Sequence, residues 1–229
     1  MANLPQPERA PHQRKDFFRI IPSRFPPISL FEAIYDSPDE LEIAYQLEAL
    51  TNPRVLQEAG DLNRVPADER VSGPGASIVM APFTHLSRQT RFSDGTFGVY
   101  YAAKSLHTAI EETKYHRARF LAQTDQPDQE IAMRVYSGKL KRRLLDLRPP
   151  LYERLLDRAD YAPSQAFARE LWDVGATGLL YPSVRHPEGI CVAVFRPKAV
   201  EIPSQRMHLK YVYSRAAKAI AQVYEARWV

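Results

Sequence analysis

The stretch Arg91-Phe-Ser-Asp-Gly95-Thr-Phe-Gly98-Val-Tyr100-Tyr101-Ala-Ala-Lys-Ser105-Leu-His-Thr-Ala-Ile-Glu111-Glu112-Thr-Lys-Tyr-His116 reads as a glycine-punctuated loop, a short aromatic strand and a helix. Ser105 is placed to cap the helix, its hydroxyl accepting from the first free backbone amides. Leu106, Ala109, Ile110, Thr113 and Phe120 recur at helical spacing and define one buried stripe. Successive residues turn by about 100°. Glu111 therefore falls nearly opposite the stripe, as a solvated charge, whereas Glu112 lies on its flank with His116 one turn further on. Glu112 is the carboxylate placed at the seam between helix and sheet, where partial desolvation suits it to chemistry. Pairing of Glu112 with His116 or a nearby cation is the purely structural alternative. Arg91 before the strand, Tyr101 on it and Glu112 on the helix are thus a cation, an aromatic ring and a carboxylate that one loop–strand–helix unit can hold together around a nucleotide.

Outward from this unit, the chain predicts an α+β fold, a mixed sheet with flanking helices. Phe17 to Ile21 reads as a strand stopped by Pro22, flanked by Arg19 and Arg24. The polar, proline-bearing residues before it read as disordered. Ser37-Pro-Asp-Glu40 is a capping box with proline at the first helical position, opening a helix that carries Leu41, Ala44, Tyr45 and Leu50. Residues 57–75 read as a long loop. Ser77 to Ala81 and Val99 to Ala103 are expected strands, with a loop-rich segment between them suited to binding residues. Glu130 to Ser137 and Leu140 to Leu147 are expected to form a hairpin around Ser137-Gly138. Ser164 to Val174 reads as a second capped helix ended by Gly175. Gly178 to Ser183 and Ile190 to Phe195 have the apolar composition of buried central strands, with Cys191 in the core. Tyr211 to Tyr213 and Ile220 to Tyr224 are read as a closing hairpin. The division expected is an N-terminal extension over residues 1–72, partly helical, and a catalytic domain over residues 73–229.

Composition narrows the function. The 229 residues are 45% hydrophobic and 25% charged, as in ordinary globular proteins. Nineteen prolines against nine glycines indicate fixed turns rather than flexible linkers. A single cysteine leaves no internal disulfide and fits a reducing compartment. With no long apolar run and no signal-like start, a cytoplasmic protein with no membrane partner is expected. The net charge of +4 is spread along the chain, and its densest patch, Lys139 to Arg143, reads as a solvated strand edge, so direct nucleic-acid binding is not expected. Histidines 12, 85, 107, 116, 186 and 208 form no pair at metal-ligand spacing, so no metal site is expected. Ser183 lacks the glycine-flanked context of a nucleophile elbow.

Three pieces, in order, resemble the RES-domain family, named for its Arg, Glu and Ser. They are Arg91 ten residues before Tyr101; the run Tyr101-Ala-Ala-Lys-Ser-Leu-His-Thr-Ala-Ile-Glu-Glu112; and Gly178-Leu-Leu-Tyr-Pro-Ser183-Val-Arg followed by Gly189-Ile-Cys-Val-Ala-Val-Phe-Arg-Pro197. The resemblance covers about residues 73 to 225 and selects Glu112 a second time. The family commonly has Gly-Gly-Arg-Trp-Asn around its arginine where this chain has Gln89-Thr-Arg91-Phe-Ser93, which leaves Arg88 as the alternative. The resemblance implies a fold similar to ADP-ribosyltransferases and a toxin of a toxin–antitoxin pair that depletes NAD. NAD would be substrate, not cofactor, with an Xre-type helix-turn-helix protein as antitoxin. Glu112 would stabilise the oxocarbenium-like state or hold a ribose hydroxyl. Arg91 would bind the pyrophosphate, Tyr101 stack on nicotinamide, and Ser183 hydrogen-bond the ribose or amide. The acceptor (water, phosphate or a protein side chain) is left open, and so is homo-oligomerisation. A non-catalytic nucleotide- or protein-binding module is the reading from another class.

Overall fold

The structure is a computed structural model that describes residues 4–25, 37, 40, 43–44, 60–86 and 89–226. The helix expected after Ser37 falls for the most part outside the described residues, as does Arg88. Among the described residues, eight strands are formed by Phe17–Pro22 (β1), Tyr100–Ala103 (β2), Gln129–Gly138 (β3), Leu145–Asp146 (β4), Gly178–Pro182 (β5), Ile190–Val194 (β6), Ser204–Ser214 (β7) and Ala219–Ala226 (β8). They make one mixed sheet in the order β4-β5-β6-β2-β1-β3-β7-β8, in which only the β4–β5 pairing is parallel. Helices Ala76–Thr84 (α1), Leu106–Gln123 (α2) and Ala162–Asp173 (α3) flank it. The class is the α+β arrangement expected from the sequence.

Side chains alternate across the strands. Tyr100 and Ala102 of β2 join a core with Val79, Met80 and Phe83 of α1, while Ala103 joins the opposite core with Ala109 and Leu121 of α2. The middle of the sheet is therefore covered on both sides, which is why β5 and β6 read as nearly continuous apolar runs. Ser105 caps α2 as expected, accepting from the Thr108 amide at 3.1 Å. The β7–β8 hairpin also forms as read.

Three expectations are corrected. Residues 77–81 lie in helix α1, not in a strand. A short apolar run buried all round carries no period to separate the two states, and here Ile78, Val79, Met80 and Phe83 are all buried. Gly98 admits this helix onto the start of β2: a Cβ there would lie 2.4 Å from the Phe83 Cα and the Pro82 carbonyl. The hairpin over 130–147 does not form, because β1 and β7 already occupy both edges of β3. After Gly138 the chain crosses to the far edge, bridging Val200 through Leu140 before β4 pairs with β5. Non-local pairing here overrides local preference. Finally, residues 4–16 are placed rather than unstructured. Ala10 is buried, its amide donates to the Leu144 carbonyl at 2.8 Å, and Arg9 bridges Leu145. The segment ahead of residue 73 also supplies β1, an inner strand of the same sheet.

Candidate active site

Between β1 and β2 the only register pair is Phe18 with Ala103. Where the ladder is not continued, a cavity of about 1270 Å³ opens. Ile20 of β1, Tyr101 of β2, Glu112 and His116 of α2, and Arg91 with Tyr161 from two loops are among its walls. Arg19, one of the two N-terminal arginines noted in the sequence, closes part of the gap by donating to the Tyr101 carbonyl at 2.9 Å, its guanidinium over the Tyr100 ring. Arg24 also lines the cavity.

Glu112 is where helical facing placed it, with its side chain 18% exposed. Ser183, at the end of β5, donates its hydroxyl proton to Glu112 Oε1 at 2.6 Å. That length suits a hydroxyl bonded to a carboxylate. The Ser183 oxygen in turn accepts from the amides of Arg185 and His186 at 3.2 and 3.0 Å, so the turn after β5 aims the hydroxyl. On the other carboxylate oxygen the His116 ring approaches to 4.0 Å, the pairing that the sequence offered as the structural alternative. Glu111 turns aside and pairs with Lys114 at 2.9 Å. Burial, and after it Glu112, pushes the Cys191 thiol up, and its sulfur lies 3.9 Å from Glu112 Oε1.

Arg91 and Tyr101 are brought to the same cavity by one linked set of bonds. The Tyr101 hydroxyl accepts from the Phe92 amide at 3.1 Å and donates to Thr90 at 2.9 Å. Ser164 of α3 donates to the Arg91 carbonyl at 2.6 Å, and Gln165 donates to the Thr90 carbonyl at 2.8 Å. Ser164 therefore holds the arginine loop instead of capping α3. The Arg91 guanidinium donates to the Asp157 carbonyl at 2.6 Å and lies 4.6 Å over the Tyr161 ring.

Electrostatically these groups form one unit. Burial raises the Tyr101 phenol to about 12, with its hydrogen bonds and Arg91 opposing. Tyr181 is raised further, by burial first and then by Cys191, Glu112 and Tyr101, again with Arg91 opposing. The pKa of His116 is lowered by desolvation first, with Glu112 opposing and the guanidiniums of Arg185, Arg91 and Arg119 adding to the drop. With 58% of its side chain exposed, that desolvation is partial.

All four residues singled out in the sequence, Arg91, Tyr101, Glu112 and Ser183, meet here. Arg91, Tyr101 and Glu112 line the cavity, while the Ser183 hydroxyl is engaged by Glu112. Tyr181 was missed. It packs edge-on against Phe92 with ring centroids 4.9 Å apart, and the two-residue period of β5 puts it on the Ser183 face, a signal the sequence did carry. Tyr161 carried no such signal, since it reaches the cavity from a loop distant in sequence. Among the described residues no cluster of three metal-ligating side chains occurs, and no helix is long and apolar enough to cross a membrane.

The fold is thus an α+β arrangement whose mixed sheet parts at one strand pair, with a carboxylate, a guanidinium and phenols around the opening. The RES domain model matches residues 66–214, and the chain belongs to the RES-domain family. Uncharacterized protein y4oC of Sinorhizobium fredii is 30% identical over 208 residues, covering 88% of this chain and 84% of that protein. A chain of the crystal structure of the M. tuberculosis MbcT–MbcA toxin–antitoxin complex is 16% identical, with a TM-score of 0.38 over 56% of this chain and 74% of that one. That likeness is too slight to bear on fold or function.

Proposed function

We propose that the protein is the toxin of a type II toxin–antitoxin pair and degrades NAD by cleaving the bond between nicotinamide and ribose. The observation that carries this reading is the largely buried Glu112 carboxylate, held by the Ser183 hydroxyl at 2.6 Å on the wall of a cavity that Arg91 and Tyr101 also line. Breaking the nicotinamide–ribose bond leaves positive charge on the ribose ring, and a preorganised carboxylate in a water-poor site stabilises that charge. Glu112 has this role, or holds a ribose hydroxyl against the reacting carbon. Ser183 acts through Glu112 as a positioning residue. Arg91 receives the pyrophosphate beside its bond to Asp157, and the Tyr101 ring faces nicotinamide. The ribosyl group passes to water, to phosphate or to a protein side chain. An Xre-type helix-turn-helix antitoxin restrains the activity by covering the cavity, and the site of action is the cytoplasmic NAD pool.

The test is NAD loss and nicotinamide release by purified wild type, Glu112→Ala and Glu111→Ala, with and without phosphate. Turnover is expected in wild type and Glu111→Ala and not in Glu112→Ala, with the phosphate dependence identifying the acceptor. Equal turnover in all three would remove Glu112 from the chemistry. Binding of NAD without turnover by any of them would make the protein a nucleotide-binding module.

A further inference from the structure

We propose that Arg185 is a positioning residue for this site, latching the loop Asp157–Tyr161 against α2 so that it forms a fixed wall of the cavity. Ala159, Asp160 and Tyr161 of that loop, and Ala162 where α3 begins, line the cavity. The loop is stiff in itself, since the Asp157 carboxylate accepts from the amides of Ala159 and Asp160 at 2.7 and 2.8 Å. Two guanidiniums hold its successive carbonyls. Arg91 takes that of Asp157 at 2.6 Å, and Arg185 takes that of Arg158 at 3.0 Å.

Arg185 is itself anchored at both ends. Its guanidinium carbon lies 3.4 Å from the centroid of the Tyr115 ring, on the helix that carries Glu112 and His116. Its own amide donates to Ser183, the residue that holds Glu112. A planar cation that stacks on a ring while directing an N–H sideways is a task for arginine that lysine does not perform. Its Nε is buried without a hydrogen-bond partner, so the stack and the single Nη2 bond keep the side chain in place. Loss of Arg185 removes one of these two guanidinium contacts and leaves that of Arg91. The wall then recedes, and the substrate is held less well while the chemistry at Glu112 is unchanged.

The kinetic part of this inference rests on the NAD reading; the latch itself does not. Hydrogen–deuterium exchange over residues 157–162 and steady-state NAD turnover would be measured for wild type, Arg185→Ala, Arg185→Lys and Tyr115→Leu. Exchange in the loop is expected to rise roughly fivefold to tenfold in the Arg185 variants, the effect of losing one hydrogen bond and one cation–π contact, and by about threefold in Tyr115→Leu, which loses the cation–π contact alone. KM for NAD should rise by a similar factor with kcat within about twofold, and lysine should not rescue. Unchanged exchange in the folded variants would overturn the latch. Raised exchange with unchanged KM, or a fall in kcat alone, would overturn the positioning role. If Arg185→Ala does not fold, Tyr115→Leu and Arg185→Lys decide the matter. If wild type turns over no NAD, the proposed function fails while the exchange measurement still rules on the latch.

Discussion

Removing the Ser183 hydroxyl disturbs three contacts, and a double-mutant cycle isolates the one that matters. In the protein the hydroxyl donates to Glu112 at 2.6 Å and accepts from the amides of Arg185 and His186. Ser183→Ala loses all three, so its effect on stability exceeds the worth of the Glu112 bond. Glu112→Ala likewise loses its approach to His116 and the Cys191 contact as well as the serine. In the cycle Ser183→Ala, Glu112→Ala and the double variant, the contacts to third parties cancel and the coupling energy remains. A hydrogen bond to a charged group contributes about 1.5–3 kcal/mol. The 18% exposure of the Glu112 side chain, with its remaining access to water, puts the expected coupling in the lower half of that range. For a chain of this length about 1 kcal/mol moves Tm by roughly 2–4 °C, so the coupling amounts to about 3–9 °C of non-additivity by calorimetry. A coupling below about 0.5 kcal/mol would refute a fixed Ser183–Glu112 bond. The same four proteins test the positioning role of Ser183. If it acts only through Glu112, adding Ser183→Ala to Glu112→Ala will not lower any residual NAD turnover further.

Two further outcomes follow from packing and from ionisation. Gly98→Ala and Gly178→Ala should each cost more than about 3 kcal/mol in urea denaturation, because the new Cβ would meet backbone at 2.4 and 2.3 Å respectively. Gly175→Ala, with φ +81 and nothing within 4 Å, should cost only about 1 kcal/mol from its left-handed backbone. Tyr101 and Tyr211 hold their protons to about 12 in the fold against 10.0 for the free phenol, with burial the first cause in both. Between those values the unfolded chain has lost protons that the folded chain keeps, so stability falls as pH rises. The fall is about 1.4 kcal/mol per pH unit for each tyrosine, and below pH 10 these groups contribute no slope. Denaturation series at pH 9, 10 and 11 would show it, and a flat response above pH 10 would contradict the burial of these phenols.

What the sequence by itself determined is local or periodic. Ser183 is joined to Arg91, Tyr101 and Glu112 only by the family resemblance, whereas helical angle separates Glu112 from Glu111 and the Ser105 cap starts α2. These are legible because a cap or a period is set by neighbours in the chain, whatever packs on later. The tertiary structure alone decided the rest. Residues 77–81 are helical, with Ile78, Val79 and Met80 buried together, and an apolar run this short carries no period that separates helix from strand. The expected 130–147 hairpin gave way to β1 and β7, whose claim on β3 comes from residues far away in the chain. At the site, the engagement of Ser183 by Glu112 spans 71 residues and that of Arg91 by Asp157 spans 66. Contacts between residues so distant depend on how the sheet, α2 and the loop before α3 come together, and no local pattern encodes that.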